Sequence, residues 1–140
     1  MERWVVFALI SMVFAGFTSV VAKQGLAGIS AELGLTVRTV FVFVVILGFA
    51  VLAVPRAELA TLSKSNLVWL GLSAITTAVS WVFYYKALKL GEVSTIALID
   101  KGSFLVAVVL AWIVLGEKIT GRVAIGSLLI LAGLFVVARR

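Results

Sequence analysis

Apolar runs long enough to cross a lipid bilayer follow one another along nearly the whole chain, with short polar joints between them. A transmembrane helix needs about 20 predominantly apolar residues, within a range of roughly 17–25. Five stretches meet this requirement: residues 4–22, 35–54, 66–88, 93–115 and 122–138. Each is continuously apolar rather than alternating, which excludes the strands of a membrane barrel. Backbone polar groups inside lipid must be satisfied within the segment, so helices remain. The expected fold is all-α, a five-helix transmembrane bundle forming a single domain over residues 1–140.

Composition agrees. Hydrophobic residues make up 64% of the chain and charged ones 13%, against roughly 45–50% and about 25% in a soluble domain. A chain of 140 residues has no core large enough to hide that excess, so lipid must be the solvent for much of its surface. The expected location is a cell membrane, crossed several times, of the prokaryotic inner-membrane kind. Arg3 before an apolar run also resembles a signal peptide, but the run is long for an h-region and no Ala-x-Ala site follows. A retained helix is the expectation.

Net charge is +6, from 12 Lys and Arg against 6 Asp and Glu. The basic residues stand singly or in pairs at the ends of apolar runs, which suits lipid anchoring and topology signals and not a nucleic-acid surface. With no Cys and no His, thiol and imidazole chemistry are absent. The six carboxylates are too scattered for a metal cluster, and no glycine-rich turn ends in Lys-Ser or Lys-Thr to hold a nucleotide. No cofactor and no metal are expected, and an enzyme has few players left.

Five spans put the termini on opposite sides. Arg3, Arg56, Lys64, Lys118 and Arg122 fall on one side; Lys86, Lys89, Arg139 and Arg140 fall on the other, with Lys23, Arg38 and Lys101 at or inside span ends. Such a balance barely biases insertion by the positive-inside rule. Two readings stay open: one orientation set by the embedded charges, or insertion both ways to give an antiparallel dimer with the symmetry of an inverted repeat.

The embedded charges are the candidate site. Asp100 and Lys101 lie about seven residues into the fourth run, where a charge costs a few kcal/mol by insertion scales. Helical spacing groups Asp100 with Val93, Ala97, Phe104, Ala107 and Ala111, a mostly small stripe suited to close packing, with Leu98, Leu105, Val109 and Trp112 opposite. Asp100 is expected to point inward, while Lys101 can snorkel to an interface. Either Asp100 is a proton or cation site, or it fixes helix register in an ion pair with Lys101, Lys23 or Arg38.

Lys23 follows Gly16 and Ser19 on one face of the first run, either the end of a polar pathway or a boundary lysine. Arg38, near the start of the second run, reads as an anion clamp or as an interfacial anchor. In the third run Thr77, Trp81 and Tyr84 fall together, as an aromatic wall for a substrate or as belt residues. Gly126, Leu129 and Gly133 form a groove for a neighbouring helix.

From Tyr84 onward the sequence reads Tyr84-Tyr85-Lys86-Ala87-Leu88, then an apolar helix, then Leu115-Gly116-Glu117-Lys118-Ile119-Thr120, followed by Gly126 and Gly133. This pattern resembles the second half of an EamA domain of the drug/metabolite transporter superfamily. Ala15-Gly16, Lys23 and Arg38 resemble its first half more weakly. The resemblance implies a metabolite carrier, usually of ten helices in two inverted repeats around a central cavity. This chain holds one repeat, so it is similar in strategy to small multidrug resistance proteins, whose short chains pair antiparallel. It also departs at Asp100-Lys101, where longer members often have Pro or small residues. Glu117 looks like part of a turn or cap.

The expected function is therefore a secondary transporter or exporter of a small polar or amphipathic metabolite. Its expected partners are membrane lipids, that small-molecule substrate and a second copy of the chain, with no nucleic acid. Asp100, Lys101, Lys23, Arg38, Trp81 and Tyr84 are the expected substrate- or ion-binding residues. The rival reading is a non-transporting membrane subunit that scaffolds or regulates a partner protein.

Overall fold

The computed structural model describes residues 2–138, and among these it holds helices and no strand. In chain order they are α1 (Arg3–Gly25), α2 (Ala31–Ala53), the single turn α3 (Arg56–Leu59), α4 (Lys64–Leu90), α5 (Val93–Lys101), α6 (Ser103–Leu115) and α7 (Gly121–Ala138). Four segments are long and apolar enough to cross a membrane, with α5 and α6 together forming the fourth. The remaining apolar helix, α7, is shorter, at 18 residues. Arg139 and Arg140, assigned above to one membrane side, lie outside the described residues.

Local chemistry sets the boundaries. The second run begins as a helix earlier than its hydropathy suggests, because Ser30 caps it: its side chain accepts from the Leu33 amide at 3.2 Å. Glu32 in the first turn suits the positive end of the helix dipole. Arg38 consequently sits seven residues in, about 10 Å along the axis at 1.5 Å per residue, and no longer at the helix start. Pro55, just past the Val54 cap, bars the run from continuing. Ser63 caps the third run, with its hydroxyl receiving the Asn66 amide at 3.1 Å.

The chain forms two compact units, one of Ala22–Leu90 and one of the residues up to Val21 with those from Gly91 on. In the Ala22–Leu90 unit α2 packs along α4. The two run antiparallel: Glu32 meets Lys86, and Arg38, two turns further on, meets Trp81 and Tyr85. This unit also holds all four buried hydrophobic residues of the described chain, Leu26, Ala31, Tyr85 and Leu88. They gather where the α1–α2 connection lies against the end of α4. Lys23 donates to the Leu88 carbonyl there, and Lys89 donates to the Leu26 carbonyl at 2.9 Å. Gly34 allows this approach, since a Cβ at that position would run into the buried Leu26 side chain.

In the other unit α5 packs on α7. The fourth run, read as one continuous helix, is interrupted at Gly102. The Gly102 amide bonds back three residues to Ile99 at 2.9 Å, and the Leu105 amide bonds back three to Gly102 at 3.0 Å, a local tightening of the helix. A Cβ on Gly102 would lie 2.9 Å from the Ile99 carbonyl oxygen and 3.3 Å from Leu134 on α7. The fourth run ends at Gly116, left-handed at φ 67°, with the Glu117 amide bonded back to Ala111 at 3.2 Å. The Gly-Glu turn is thus a helix stop.

Most other large apolar side chains are exposed on the isolated chain, as lipid-facing helices require. A Cβ at Gly126 or Gly133 would meet open space, so at these two glycines of the expected groove no described residue lies close.

Candidate functional site

The antiparallel packing of α2 on α4 places a cation, seven residues into α2, among aromatic rings. The Arg38 guanidinium carbon lies 4.3 Å from the centre of the Trp81 ring and 5.9 Å from that of Tyr85. Both distances are within cation–π reach, an interaction of about 0.5–1 kcal/mol when exposed and about 2 or more when desolvated. Arg38 is therefore held against rings of α4. Its Nη1 is buried and has no hydrogen-bond partner among the described residues. Such a donor costs roughly 1–3 kcal/mol, which singles this nitrogen out.

Trp81 also belongs to a groove of about 470 Å³ between the same two helices. Leu35, Leu70 and Val82 supply apolar wall, and Thr39, Ser73 and Thr77 supply hydroxyls. The Thr39 and Thr77 hydroxyls each donate at 2.8 Å to a backbone carbonyl one turn earlier. Their oxygens therefore face the groove as acceptors, with the protons committed. Helix propensity alone would disfavour so many hydroxyl residues on one stretch; here the carbonyl one turn back satisfies them.

The sequence-predicted residues divide between the units. Arg38 and Trp81 come together. Tyr85, not among the expected site residues, is the second ring beside Arg38; Tyr84, expected to fall with Thr77 and Trp81, is half-buried and is not among the residues lining the groove. The signal for Tyr85 was its spacing of four from Trp81, which puts both rings on one helix face. Lys23, half-buried, holds the end of α4 through the Leu88 carbonyl. In the other unit Asp100 pairs with its own neighbour: Lys101 Nζ lies 3.8 Å from Asp100 Oδ2. Both side chains remain partly exposed, at 39% for Asp100 and 57% for Lys101. Val93, Ala97, Phe104 and Ala111 from its stripe are half-buried, and Leu98, Val109 and Trp112 opposite are exposed, as expected. Ala107 and Leu105 exchange the expected environments.

The sequence pattern of the EamA-like transporter family matches residues 2–139. The chain belongs to the EamA-like transporter family. A relative from a Sinorhizobium species, described as an uncharacterized transporter in the cobO 3' region, is 31% identical over 137 residues, which is 98% of this chain and 97% of that one. No solved structure matches the chain. This EamA-like protein is a multi-pass membrane protein with a transporter role, and the Ala22–Leu90 unit brings the aromatic-backed Arg38 and a groove together at Trp81.

Proposed function

We propose that this EamA-like protein is a secondary transporter of a small polar or amphipathic metabolite, working as a homodimer of two five-helix units. The observation that carries the reading is the α2–α4 groove: hydroxyl acceptors, an indole and a guanidinium stand at a depth where lipid-facing helices are otherwise apolar. Ionisable residues within membrane segments are expensive and mark substrate or ion pathways. In this reading α7 is the fifth span. Its open Gly126 and Gly133 and the groove are surfaces that a second copy would help enclose.

Asp100 carries the proton or a cationic group, with Lys101 as its counter-charge. Its place inside the fourth apolar run, beside a single counter-charge, supports this role, since ionisable groups within membrane segments mark ion or substrate paths. Arg38 and Trp81 face the substrate, Tyr84 lines the wider cavity, and Lys23 balances charge at the cavity end. An antiparallel pair would supply the inverted-repeat symmetry on which alternating access is built. The near-even split of Lys and Arg between the two sides supports that arrangement.

Coupled uptake into proteoliposomes tests the assignment. With a pH gradient imposed, Asp100→Asn should insert and dimerise as the parent does but lose gradient-driven accumulation. Normal accumulation by the variant would remove Asp100 from the mechanism. A stable complex with another membrane protein, and no flux from the purified chain, would favour the scaffolding reading instead.

A further inference from the structure

From the groove and the cation beside it, we infer that the Ala22–Leu90 unit binds a small amphipathic organic anion, its carboxylate on Arg38 and its apolar body in the α2–α4 groove. The inference deepens the transport reading by naming its substrate class, and rests on it for the passage of the ligand. Charge complementarity is the argument. Among the described residues no acidic side chain pairs with Arg38: its neighbours are the Trp81 and Tyr85 rings, whereas the carboxylate of Glu32 on the same helix is engaged by Lys86 at 3.4 Å. Ring contacts of this kind use no N–H donor, and a guanidinium's in-plane donors have the geometry that grips a carboxylate with two parallel hydrogen bonds. Nη1 is buried without an acceptor, so a ligand oxygen there would satisfy a donor that the protein leaves open.

The groove selects the rest of the ligand. The Thr39 and Thr77 hydroxyl protons are already given to backbone carbonyls, so these side chains offer little to the donor-hungry surface of a second anionic group. Leu35, Leu70 and Val82 favour an apolar body, and about 470 Å³ accommodates a substituted aromatic ring. Trp81 is common to the groove wall and the stack on Arg38. The indole is therefore the partition that a carboxylate passes on its way to Nη1, and its environment changes when the site fills.

A matched series tests this: phenylacetate, neutral phenylacetamide and cationic phenethylamine, titrated by calorimetry against the full chain in phosphatidylcholine nanodiscs. Phenylacetate should bind saturably and at least about tenfold more tightly than either analogue, as a charge-assisted pair requires. Arg38→Gln should remove that preference, and Arg38→Lys should restore it in part. Thr77→Leu, which fills the groove without touching Arg38, should weaken all three ligands, so the site stays testable if the Arg38 variants fail to fold. In a chain whose other tryptophans are phenylalanine, phenylacetate should shift the Trp81 emission. Equal binding of phenylacetate and phenylacetamide would overturn the inference, as would no saturable binding. Loss of phenylacetate binding on adding phosphatidylglycerol would assign the groove to lipid and overturn it too. Coupled flux of phenethylamine with no carboxylate preference would leave transport standing and the anion site refuted. Selective carboxylate binding without flux of any probe would do the reverse.

Discussion

Arg38 shows how a single side chain can be costly to the fold and useful to the molecule. A guanidinium 10 Å along a membrane helix gains ring contacts from Trp81 and Tyr85 yet leaves Nη1 without an acceptor. Replacing it by Met exchanges those ring contacts for relief of the unsatisfied donor, and the two effects are of similar size. Arg38→Met should therefore melt in detergent within about 1 kcal/mol of the parent while losing carboxylate binding; a melting temperature far below the parent's would make Arg38 a structural post. Leu88 is the opposite kind of residue. It is fully buried where Lys23 and Lys89 tie the α1–α2 connection to α4, and Leu88→Ala should cost about 2–5 kcal/mol, seen as a lowered midpoint in denaturant. Arg38, Trp81 and Asp100 could be singled out in the sequence because charge and large rings inside apolar runs are conspicuous. Tyr85 could not be preferred over Tyr84, because which of two adjacent rings faces α2 depends on helix phase, set by packing between segments far apart in the chain. The partner of Asp100 was likewise open between three cations, and the fold gives it Lys101.

At the scale of elements, two glycines do different work. Gly116 closes α6 in the left-handed region with open space around the position of a Cβ. Gly116→Ala therefore meets no clash, only the backbone penalty of roughly 1–2 kcal/mol. Gly102 has ordinary helical angles but no room. Ala is the better helix former by about 1 kcal/mol, yet Gly102→Ala should destabilise, because the Ile99 carbonyl and Leu134 already fill the space. A thermal melt decides the sign: a more stable Gly102→Ala variant would mean that the break in the fourth run is not held by the contact with α7. Run lengths, Pro55 and the Gly-Glu stop were plain from hydropathy and turn chemistry. The early start of α2 was written in Ser30 and Glu32 but outweighed by an apolar count that began at Leu35. The break at Gly102 had no sequence signal apart from the glycine, since apolar residues continue on both sides. The groove was hidden for a further reason: Thr39 and Thr77 meet only once the antiparallel register of α2 and α4 is fixed.

For the whole molecule, the decisive property is how little the chain buries. Four hydrophobic residues are buried among those described, so most of the apolar surface is left to lipid and, in the dimer proposed here, to a second copy. Family membership and hydropathy carry the transporter role, while topology bears on how two copies pair. Reporter fusions placed after Arg140 should give signal from both membrane faces in the dual-orientation dimer; signal from one face would leave a parallel pair or a hetero-oligomer. The central claim, that the chain alone moves a small molecule through a polar path, is tested most directly by counterflow. Proteoliposomes holding the purified protein are loaded in turn with unlabelled phenylacetate, phenylacetamide and phenethylamine, and entry of the labelled form is followed. Transient accumulation of at least one probe above protein-free liposomes, strongest for phenylacetate and lost on Thr77→Leu, is the predicted result. Counterflow of all three indistinguishable from protein-free liposomes, with the protein folded and inserted, would contradict the account.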